Sequence, residues 1–428
     1  MKRALLIILC TSFLWSCASD DSKSVFQQTD DPTDEAPTDD IPVSDDTDDV
    51  PGPSDGPYEG ICENGFIDGY YPCHDYDLVQ RIDLDTFSAQ SANDCWGWTD
   101  PDTQREYAII GLDNGTAFVD ISDPAAIQFV GKVDTETNAS SWRDVKVYKN
   151  HAFIVSEADN HGMQIFDLTR LRGITDTNVD FEPDAVYSGF GSAHNIVINE
   201  DTGYAYAVGT RTYNGGPHMV NIQNPTNPVA AGGYSMDSYS HDAQVVTYNG
   251  PDTEYVGKEI LIGSNENEVV IVDITNKNAA HKISEISYGQ VGYTHQGWFT
   301  EDQRFFLLGD ELDESSYGFN SRTIVLDLTD LDNPQLKFEY FGPTPAIDHN
   351  GYVHNGFYYL ANYTAGMRVI DLANIDSNAL TEVGFFDSSA HIDIASFRGA
   401  WSVYPYFESG HIIISDINDG LFVVKKKS

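Results

Sequence analysis

Val269-Val270-Ile271-Val272-Asp273 is an apolar segment that ends in an acidic residue, and the same pattern recurs along the chain. Clear copies occupy residues 116–120, 163–167, 323–327 and 367–371, and degenerate copies occupy residues 218–221 and 420–424. The final residues of successive copies lie 44 to 54 residues apart. A period near 50 residues without a helix between copies is typical of a four-stranded propeller blade. The seven copies therefore predict an all-β, seven-bladed β-propeller.

Each copy can be extended into four antiparallel strands, which the fourth blade has at residues 241–247, 259–263, 268–274 and 281–288. The last copy stops after its third strand, near Lys427. An apolar strand at residues 78–84 precedes the first complete blade and can supply the missing outer strand. Such pairing closes the ring and removes an exposed sheet edge. We therefore expect the propeller to span residues 76–428.

Residues 1–16 have the pattern of a signal peptide, with Lys2 and Arg3 before an apolar run and a small-residue junction. The run is too short to span a bilayer. The junction before Cys17 resembles a bacterial lipobox, which predicts a diacylated cysteine and a stable lipid anchor. The acidic residues after Ser19 are similar to the export signal of some surface lipoproteins. We therefore expect an exported outer-membrane or cell-surface lipoprotein, with an ordinary signal peptide and an incidental cysteine as the alternative.

The segment after the predicted lipid is strongly acidic, because residues 18–60 contain 14 Asp or Glu and a single lysine. It has few large apolar side chains and cannot bury enough surface to fold. Its like charges repel one another, which favours an extended chain. Residues 17–60 are therefore predicted to be a disordered tether.

The whole chain has a formal net charge of −44. The signal peptide contributes two positive charges and residues 18–60 a net thirteen negative charges, which leaves −33 for the remainder. This charge argues against nucleic acid as a partner. It favours cations or proteins with basic surfaces, although solubility alone is a sufficient reason for an acidic surface.

The cysteines of the mature chain indicate one disulfide in an oxidising compartment. The preferred pairing joins Cys62 to Cys73 and closes a small loop in a lead-in segment at residues 61–75. Cys95 lies in an apolar strand and is predicted to be a buried thiol rather than a nucleophile.

The acidic or amide residue that ends each repeat has a local explanation. Asp120 and Asn221 stand before turns, where their side chains can accept hydrogen bonds from backbone amides two or three residues later. These residues are therefore predicted to be structural rather than metal ligands.

The first strand of each predicted blade begins with a different set of polar residues, and four consecutive blades begin with a histidine. In an antiparallel sheet the second strand ends where the first begins, so its exit loop reaches the same rim of the channel. Imidazoles and carboxylates should therefore converge on one axial funnel. Its candidate ligand-binding or metal-binding residues are His194, His241, Asp242, His295, His349, Asp94, Asp144, Arg143, Glu157, Glu266, Asp310 and Glu311.

Three interpretations of this funnel remain open. A divalent metal such as zinc, manganese, iron or calcium fits a set of imidazole and carboxylate ligands. The same side chains could instead bond backbone amides and tie neighbouring blades together, or they could form a metal-free binding funnel. No catalytic residue is identified, because the chain lacks a Gly-x-Ser-x-Gly motif and a glycine-rich phosphate loop. Ser240, His241 and Asp242 are adjacent on one strand and cannot form a triad.

The sequence resembles the bacterial choice-of-anchor B family, which is built from LVIVD-type repeats. The resemblance extends over nearly everything from Tyr76 onward and is carried by residues 93–120, 140–148, 151–172, 191–210, 240–252 and 293–314. It implies a propeller attached to a surface, here through the lipid at Cys17, and it carries no particular reaction. We therefore expect a non-enzymatic binding module that presents the funnel to a protein or small molecule. The alternative is a metal-dependent hydrolase or oxidoreductase that uses the same funnel.

Overall fold

The computed structural model describes residues 60–390 and 393–427. The predicted signal peptide, Cys17 and all but the last residue of the predicted tether lie outside these ranges. Helical segments within them are short, namely α1 (Leu84–Phe87), α2 (Asp313–Tyr317) and three single 3₁₀ turns at Leu168–Leu171, Tyr213–Gly215 and Ile375–Ser377. In the described part of the chain, no helix combines the length and apolar character needed to cross a bilayer.

The strands pair into seven sheets. The chain begins with β1 (Cys62–Glu63), β2 (Phe66–Ile67), β3 (Tyr71–His74) and β4 (Tyr76–Ile82). Blade 1 contains β5 (Ala92–Thr99), β6 (Glu106–Leu112), β7 (Gly115–Asp120) and β8 (Gln128–Asp134). Blade 2 contains β9 (Arg143–Tyr148), β10 (His151–Ser156), β11 (Met163–Asp167) and β13 (Ala185–Tyr187). The short β12 (Val179–Phe181), between β11 and β13 in the chain, pairs with β8 and extends the sheet of blade 1. Blade 3 contains β14 (Asn195–Asn199), β15 (Tyr204–Val208), β16 (His218–Asn221) and β17 (Val229–Gly233).

The second half of the chain continues the series. Blade 4 contains β18 (Asp242–Thr247), β19 (Glu259–Ser264), β20 (Val269–Asp273) and β21 (His281–Ile286). Blade 5 contains β22 (Thr294–Phe299), β23 (Phe305–Asp310), β24 (Arg322–Asp327) and β25 (Gln335–Phe341). Blade 6 contains β26 (Gly351–His354), β27 (Phe357–Ala361), β28 (Met367–Asp371) and β29 (Thr381–Phe386). The remaining sheet contains β30 (Ala400–Tyr404), β31 (His411–Asp416), β32 (Gly420–Lys426) and β4.

The sheets are arranged as a propeller around the innermost strands, which are β5, β9, β14, β18, β22, β26 and β30. Each of these strands contacts the innermost strand of the next sheet, and β30 contacts β5. The hydrophobic core is divided in the same way, because each of seven buried clusters lies between two neighbouring sheets. The predicted all-β propeller fold is confirmed.

One of the seven sheets combines strands from the two ends of the described chain. Six sheets are built mainly from strands that follow one another in the chain, whereas the sheet of β30, β31 and β32 takes its fourth strand from β4. Leu78 of β4 pairs with Val424 of β32. The closing strand was expected at residues 78–84 but ends at Ile82, because Asp83 caps α1 by accepting a hydrogen bond from the Thr86 amide.

The lead-in segment is part of a sheet rather than a separate loop. Strand β3 pairs with β29, so that β1 to β3 extend the outer edge of blade 6. The predicted disulfide between Cys62 and Cys73 is confirmed. Cys95 is a buried free thiol, and burial raises its pKa.

The repeated acidic and amide residues act in turns, as predicted. The Asp120 carboxylate accepts a hydrogen bond from the Ser122 amide at 3.1 Å, and the Asn221 side chain accepts one from the Gln223 amide at 3.0 Å. Asp273 does the same for the Thr275 amide. These bonds satisfy backbone donors at the point where each third strand ends.

Candidate functional site

Four histidines form an arc at one end of the propeller channel, and we call His194, His241, His295 and His349 the His arc. The ring centroids of successive members are 4.0, 4.5 and 4.3 Å apart. Each residue lies at the start of an innermost strand of blades 3 to 6. The backbone amides of His194, His241 and His349 donate to the second strand of their own blades, at Val208, Ser264 and Ala361, which fixes these positions. The repeat therefore sets neighbouring imidazoles against each other.

Hydrogen bonds link the first half of the His arc to polar side chains. Nδ1 of His194 lies 2.6 Å from Oε1 of Glu157, and its Nε2 lies 3.0 Å from Nε2 of His241. Nδ1 of His241 lies 3.0 Å from the Tyr293 hydroxyl, which donates to Glu266 at 3.4 Å. The two imidazoles in contact cannot both be protonated at the nitrogens that face each other. The result is a continuous polar chain from Glu157 to Glu266.

Glu311 lies opposite the second half of the His arc. Its two carboxylate oxygens lie 3.6 Å from Nε2 of His295 and 3.5 Å from Nε2 of His349. The Tyr363 hydroxyl donates to the same carboxylate at 2.8 Å. One ligand atom from each of His241, His295 and Glu311 can be chosen so that all three lie within 4.8 Å of one another. This group has the composition of a metal site.

The histidines link neighbouring blades mostly through side chains and, in one case, through the backbone. Among their ring nitrogens, Nδ1 of His349 lies 2.6 Å from the backbone oxygen of Trp401, which is the link through the backbone. Nδ1 of His295 is buried and has no hydrogen-bond partner among the described residues. An unpaired buried nitrogen costs free energy unless something else binds it.

Burial controls the protonation of the His arc. It lowers the pKa of His241 and His295 well below the usual range, helped by the neighbouring imidazoles, and it lowers the pKa of His349 to about 3. At His194 burial also disfavours the cation, but the Glu157 carboxylate outweighs this effect and raises the pKa. Three imidazoles are therefore neutral at pH 7, the form in which a ring nitrogen can bind a metal.

Among the predicted carboxylates of blades 1, 2 and 4, Asp94 and Asp144 line a small cavity together with three members of the His arc. Lys146 is buried between Asp94, at 3.1 Å, and Asp144, at 2.5 Å. Asp144 also accepts the Ile196 amide of the next blade, at 2.7 Å, which is a tie between blades. Asp242 accepts the Ala243 amide, and burial raises its pKa to about 7. These residues stabilise the innermost strands.

Three further predicted residues make contacts outside the His arc, although Arg143 also lines a small cavity with His194 and His295. The Arg143 guanidinium donates to Leu112 and contacts His161, between blades 1 and 2. Asp310 accepts the backbone amides of Gly292 and Tyr293, so it shapes a loop. Glu266 is exposed at the rim.

A small cavity lies beside the His arc. It has a volume of about 20 Å³ and is lined by His194, His295, His349, Asn350, Trp142 and Trp401, among others. This is room for about one water molecule. The dimensions suit a single ion or water rather than an organic substrate held inside the rim.

Sequence reasoning missed Tyr293 and the second cavity of the channel. Tyr293 stands two residues before His295, as Tyr239 stands before His241, and this repeated Tyr-x-His spacing was the available signal. The second cavity, at the far end of the inner strands, has a volume of about 410 Å³ and is lined in part by Trp96, Trp298, Tyr404, Tyr406, Lys146 and Glu200. Many of its residues lie at equivalent positions of the innermost strands, such as Trp96, Lys146 and Trp298, but they differ in residue type and so gave no repeated motif.

Comparison with known protein families identifies the repeat in two of the blades. Residues 105–135 and 257–281 match the LVIVD repeat model. The chain contains LVIVD repeats. The matched segments correspond to the second, third and fourth strands of blade 1 and to the second and third strands of blade 4.

Solved structures with similar folds are distant in sequence. A protein from Lactobacillus plantarum is 12% identical with a TM-score of 0.49, and the match covers 76% of this chain and 88% of that one. Hydrazine synthase from Kuenenia stuttgartiensis is 12% identical with a TM-score of 0.49, covering 75% and 92%. The WD40 domain of Toxoplasma gondii coronin is 13% identical with a TM-score of 0.49, covering 79% and 85%. No curated protein matches the chain.

Proposed function

We propose that this LVIVD-repeat propeller is a binding protein that holds a divalent transition metal at the His arc. The observation that carries the proposal is the convergence of His241, His295 and Glu311, each with a ligand atom within 4.8 Å of the others. The ion would be the group through which the funnel recognises a protein or small molecule. Seven blades set around one axis would give the funnel its nearly continuous ring of side chains.

The distances around the His arc support this proposal. Two ligands of a tetrahedral zinc ion with bonds of about 2.1 Å lie about 3.4 Å apart. The nitrogen of His194 lies 3.0 Å from that of His241, and the Glu311 oxygens lie 3.5 and 3.6 Å from His349 and His295. These separations are close to the value expected for ligands of one ion. Neutral imidazoles with one carboxylate favour zinc, manganese or iron over calcium.

Metal titration of the purified propeller tests this function. Wild type should bind one zinc ion in competition with a chromophoric chelator, and Glu311→Gln and His295→Ala should each weaken binding by about 10-fold or more because each loses a ligand. His281→Ala is the matched control, since His281 is exposed on blade 4. Equal zinc affinity in all four proteins would exclude the His arc as the binding site.

A metal-dependent hydrolase or oxidoreductase is the second candidate. The pair formed by His194 and Glu157 favours it, because this histidine has a raised pKa and contacts His241. A histidine that holds a proton beside a metal can transfer it to a reacting group. His194→Gln should then abolish the activity of the metal-loaded protein on a test ester while metal content is retained. Loss of metal together with activity would leave His194 as a ligand only.

We further propose that Cys17 carries the lipid that holds the propeller at the outer membrane or cell surface, at the end of an acidic tether. The support is the lipobox-like junction before Cys17 and the acidic composition that follows it. Cys17→Ser should move the protein from the membrane fraction to the soluble fraction, because the acyl chains would be lost. Cys10→Ser is the matched control within the apolar run. A Cys17→Ser protein that stays in the membrane fraction would contradict the anchor.

A further inference from the structure

Three carboxylates are buried together between blades 5 and 6, and we call Asp313, Glu314 and Asp348 the carboxylate cluster. Asp313 and Glu314 lie on α2, which follows β23, and Asp348 lies just before β26. Their exposed fractions are 0%, 3% and 1%. One oxygen from each can be chosen so that the three lie within 4.8 Å of one another.

Most oxygens of the carboxylate cluster have no donor. Five of the six, namely Oδ1 of Asp313 and both oxygens of Glu314 and Asp348, are buried without a hydrogen-bond partner in the part of the chain that the structure describes. The sixth, Oδ2 of Asp313, accepts from Nε of Arg322 at 2.5 Å. Elsewhere in this propeller, buried carboxylates such as Asp310 and Asp144 accept several hydrogen bonds. The carboxylate cluster therefore differs from these hydrogen-bonded carboxylates, and its burial needs a physical cause.

The charge of the carboxylate cluster is not balanced by protein groups. Among the described residues, Arg322 is the positive charge that contacts it, and this guanidinium also pairs with Glu339 and lies 3.6 Å from Asp310. Burial of an unpaired carboxylate is costly, so the site must take up protons or a cation. The Glu314 and Asp348 carboxyls lie within hydrogen-bonding range of each other, so a proton shared between them is the alternative to a cation.

We propose that the carboxylate cluster is a buried binding site for a hard divalent cation, and that Ca²⁺ is the ion it takes. The donors are all oxygens, which calcium prefers and which distinguish this site from the imidazole-rich His arc. Calcium–oxygen bonds of about 2.3–2.6 Å place any two ligands of one ion at most about 5 Å apart, which the 4.8 Å separation satisfies. Five unpaired oxygens with one or two waters give a coordination number of six or seven, which is within the range of calcium.

The calcium ion would stabilise the elements that carry Glu311 and His349, but it would not be bound by residues of the His arc. Asp348 directly precedes His349, and Asp313 follows Glu311 by two residues. A calcium ion held by these neighbours fixes the loop after β23 against the start of β26. The proposal does not depend on metal at the His arc, because the two sites share no ligand.

Calcium content and refolding test the proposal. The protein is purified in calcium buffer, dialysed against metal-free buffer, and analysed for bound calcium. It is then unfolded and refolded in EDTA or in calcium, because a buried ion exchanges slowly. Wild type should retain one calcium per chain, and its melting temperature should be several degrees lower after refolding in EDTA than after refolding in calcium.

Matched variants test whether calcium or protons neutralise the carboxylate cluster. Glu314→Gln and Asp348→Asn should lose the calcium and its effect on the melting temperature. Asp330→Asn should keep both, since Asp330 belongs to a similar acidic group with Asp252 and Asp332 that is largely exposed. His295→Ala should also keep the calcium, which separates this site from the His arc.

One set of results would exclude calcium. If wild type holds no calcium, melts alike with and without EDTA, and is no more stable than Glu314→Gln or Asp348→Asn, then the carboxylate cluster is held by protons and the proposal is wrong.

Discussion

The contact between Arg143 and His161 shows how a single imidazole is kept neutral. Nη1 of Arg143 lies 2.9 Å from Nε2 of His161, and Nδ1 of the same ring lies 3.0 Å from the Gly162 backbone oxygen. The guanidinium must donate, so Nε2 accepts and Nδ1 carries the proton. Burial and then the charge of Arg143 lower the pKa of His161 to about 4.

His161 should therefore make folding weaker in acid. Its ordinary pKa is 6.5, so between pH 6.5 and about 4 the unfolded chain binds a proton that the folded chain does not. The stability linked to this group is fully present above pH 6.5 and is lost as the pH falls through that window, up to about 3 kcal/mol. Urea unfolding at pH 7.5 and 5.0 should show a smaller loss for His161→Gln than for wild type. Equal losses in both proteins would contradict this role, and the exposed His281→Gln serves as control.

Repeat spacing predicted that the four histidines and the carboxylates Glu157 and Glu311 share one rim, but it gave no sign of the contact between Arg143 and His161. Four histidines at equivalent repeat positions had to meet, because each innermost strand contacts the next. His161 lies in an irregular loop, and no repeat relates it to Arg143. Arg143 lines the small cavity beside the His arc, and its guanidinium also contacts His161 and the Leu112 backbone oxygen. Contacts made by loops without a repeat depend on three-dimensional packing that spacing does not contain.

At the level of strands, apolar periodicity predicted most of the structure. In blade 4 the expected and observed strands differ by no more than two residues at any end. The helix α2 was not predicted, because five residues are too few to show a helical period. The carboxylate cluster was missed with it, since Asp313, Glu314 and Asp348 share no repeated spacing.

The pairing of β4 with β32 should contribute strongly to stability. Leu78 is 2% exposed and packs in the cluster between blade 6 and the sheet of β30 to β32. Leu78→Ala removes buried methyl groups and should reduce the free energy of unfolding by about 2–5 kcal/mol. Urea unfolding measures this value. Val79→Ala, at the half-buried neighbouring position, should cost clearly less, and equal costs would mean that the closing strand is not packed as described.

At the level of the molecule, charge is the dominant feature. The net −33 of residues 61–428 is distributed over a surface with few basic residues, so the folded state repels itself. Added salt screens this repulsion. The melting temperature should rise between about 10 and 300 mM NaCl in the presence of EDTA. Choline chloride should have the same effect, and a fall in either salt would mean that surface ion pairs outweigh the repulsion.

The pairing of β4 with β32 also means that an early strand cannot pair until the end of the chain has been synthesised. Arg81 donates to Asp419, a residue that is made 338 positions later. At translation rates of about 5–20 residues per second, β4 waits roughly 20 to 70 s for its partner. During that time the nascent chain has an unpaired strand at each end of an unfinished ring, and such edges recruit other chains. A ribosome that stalls while making β30 or β31 would release a product that holds most of its blades and still aggregates.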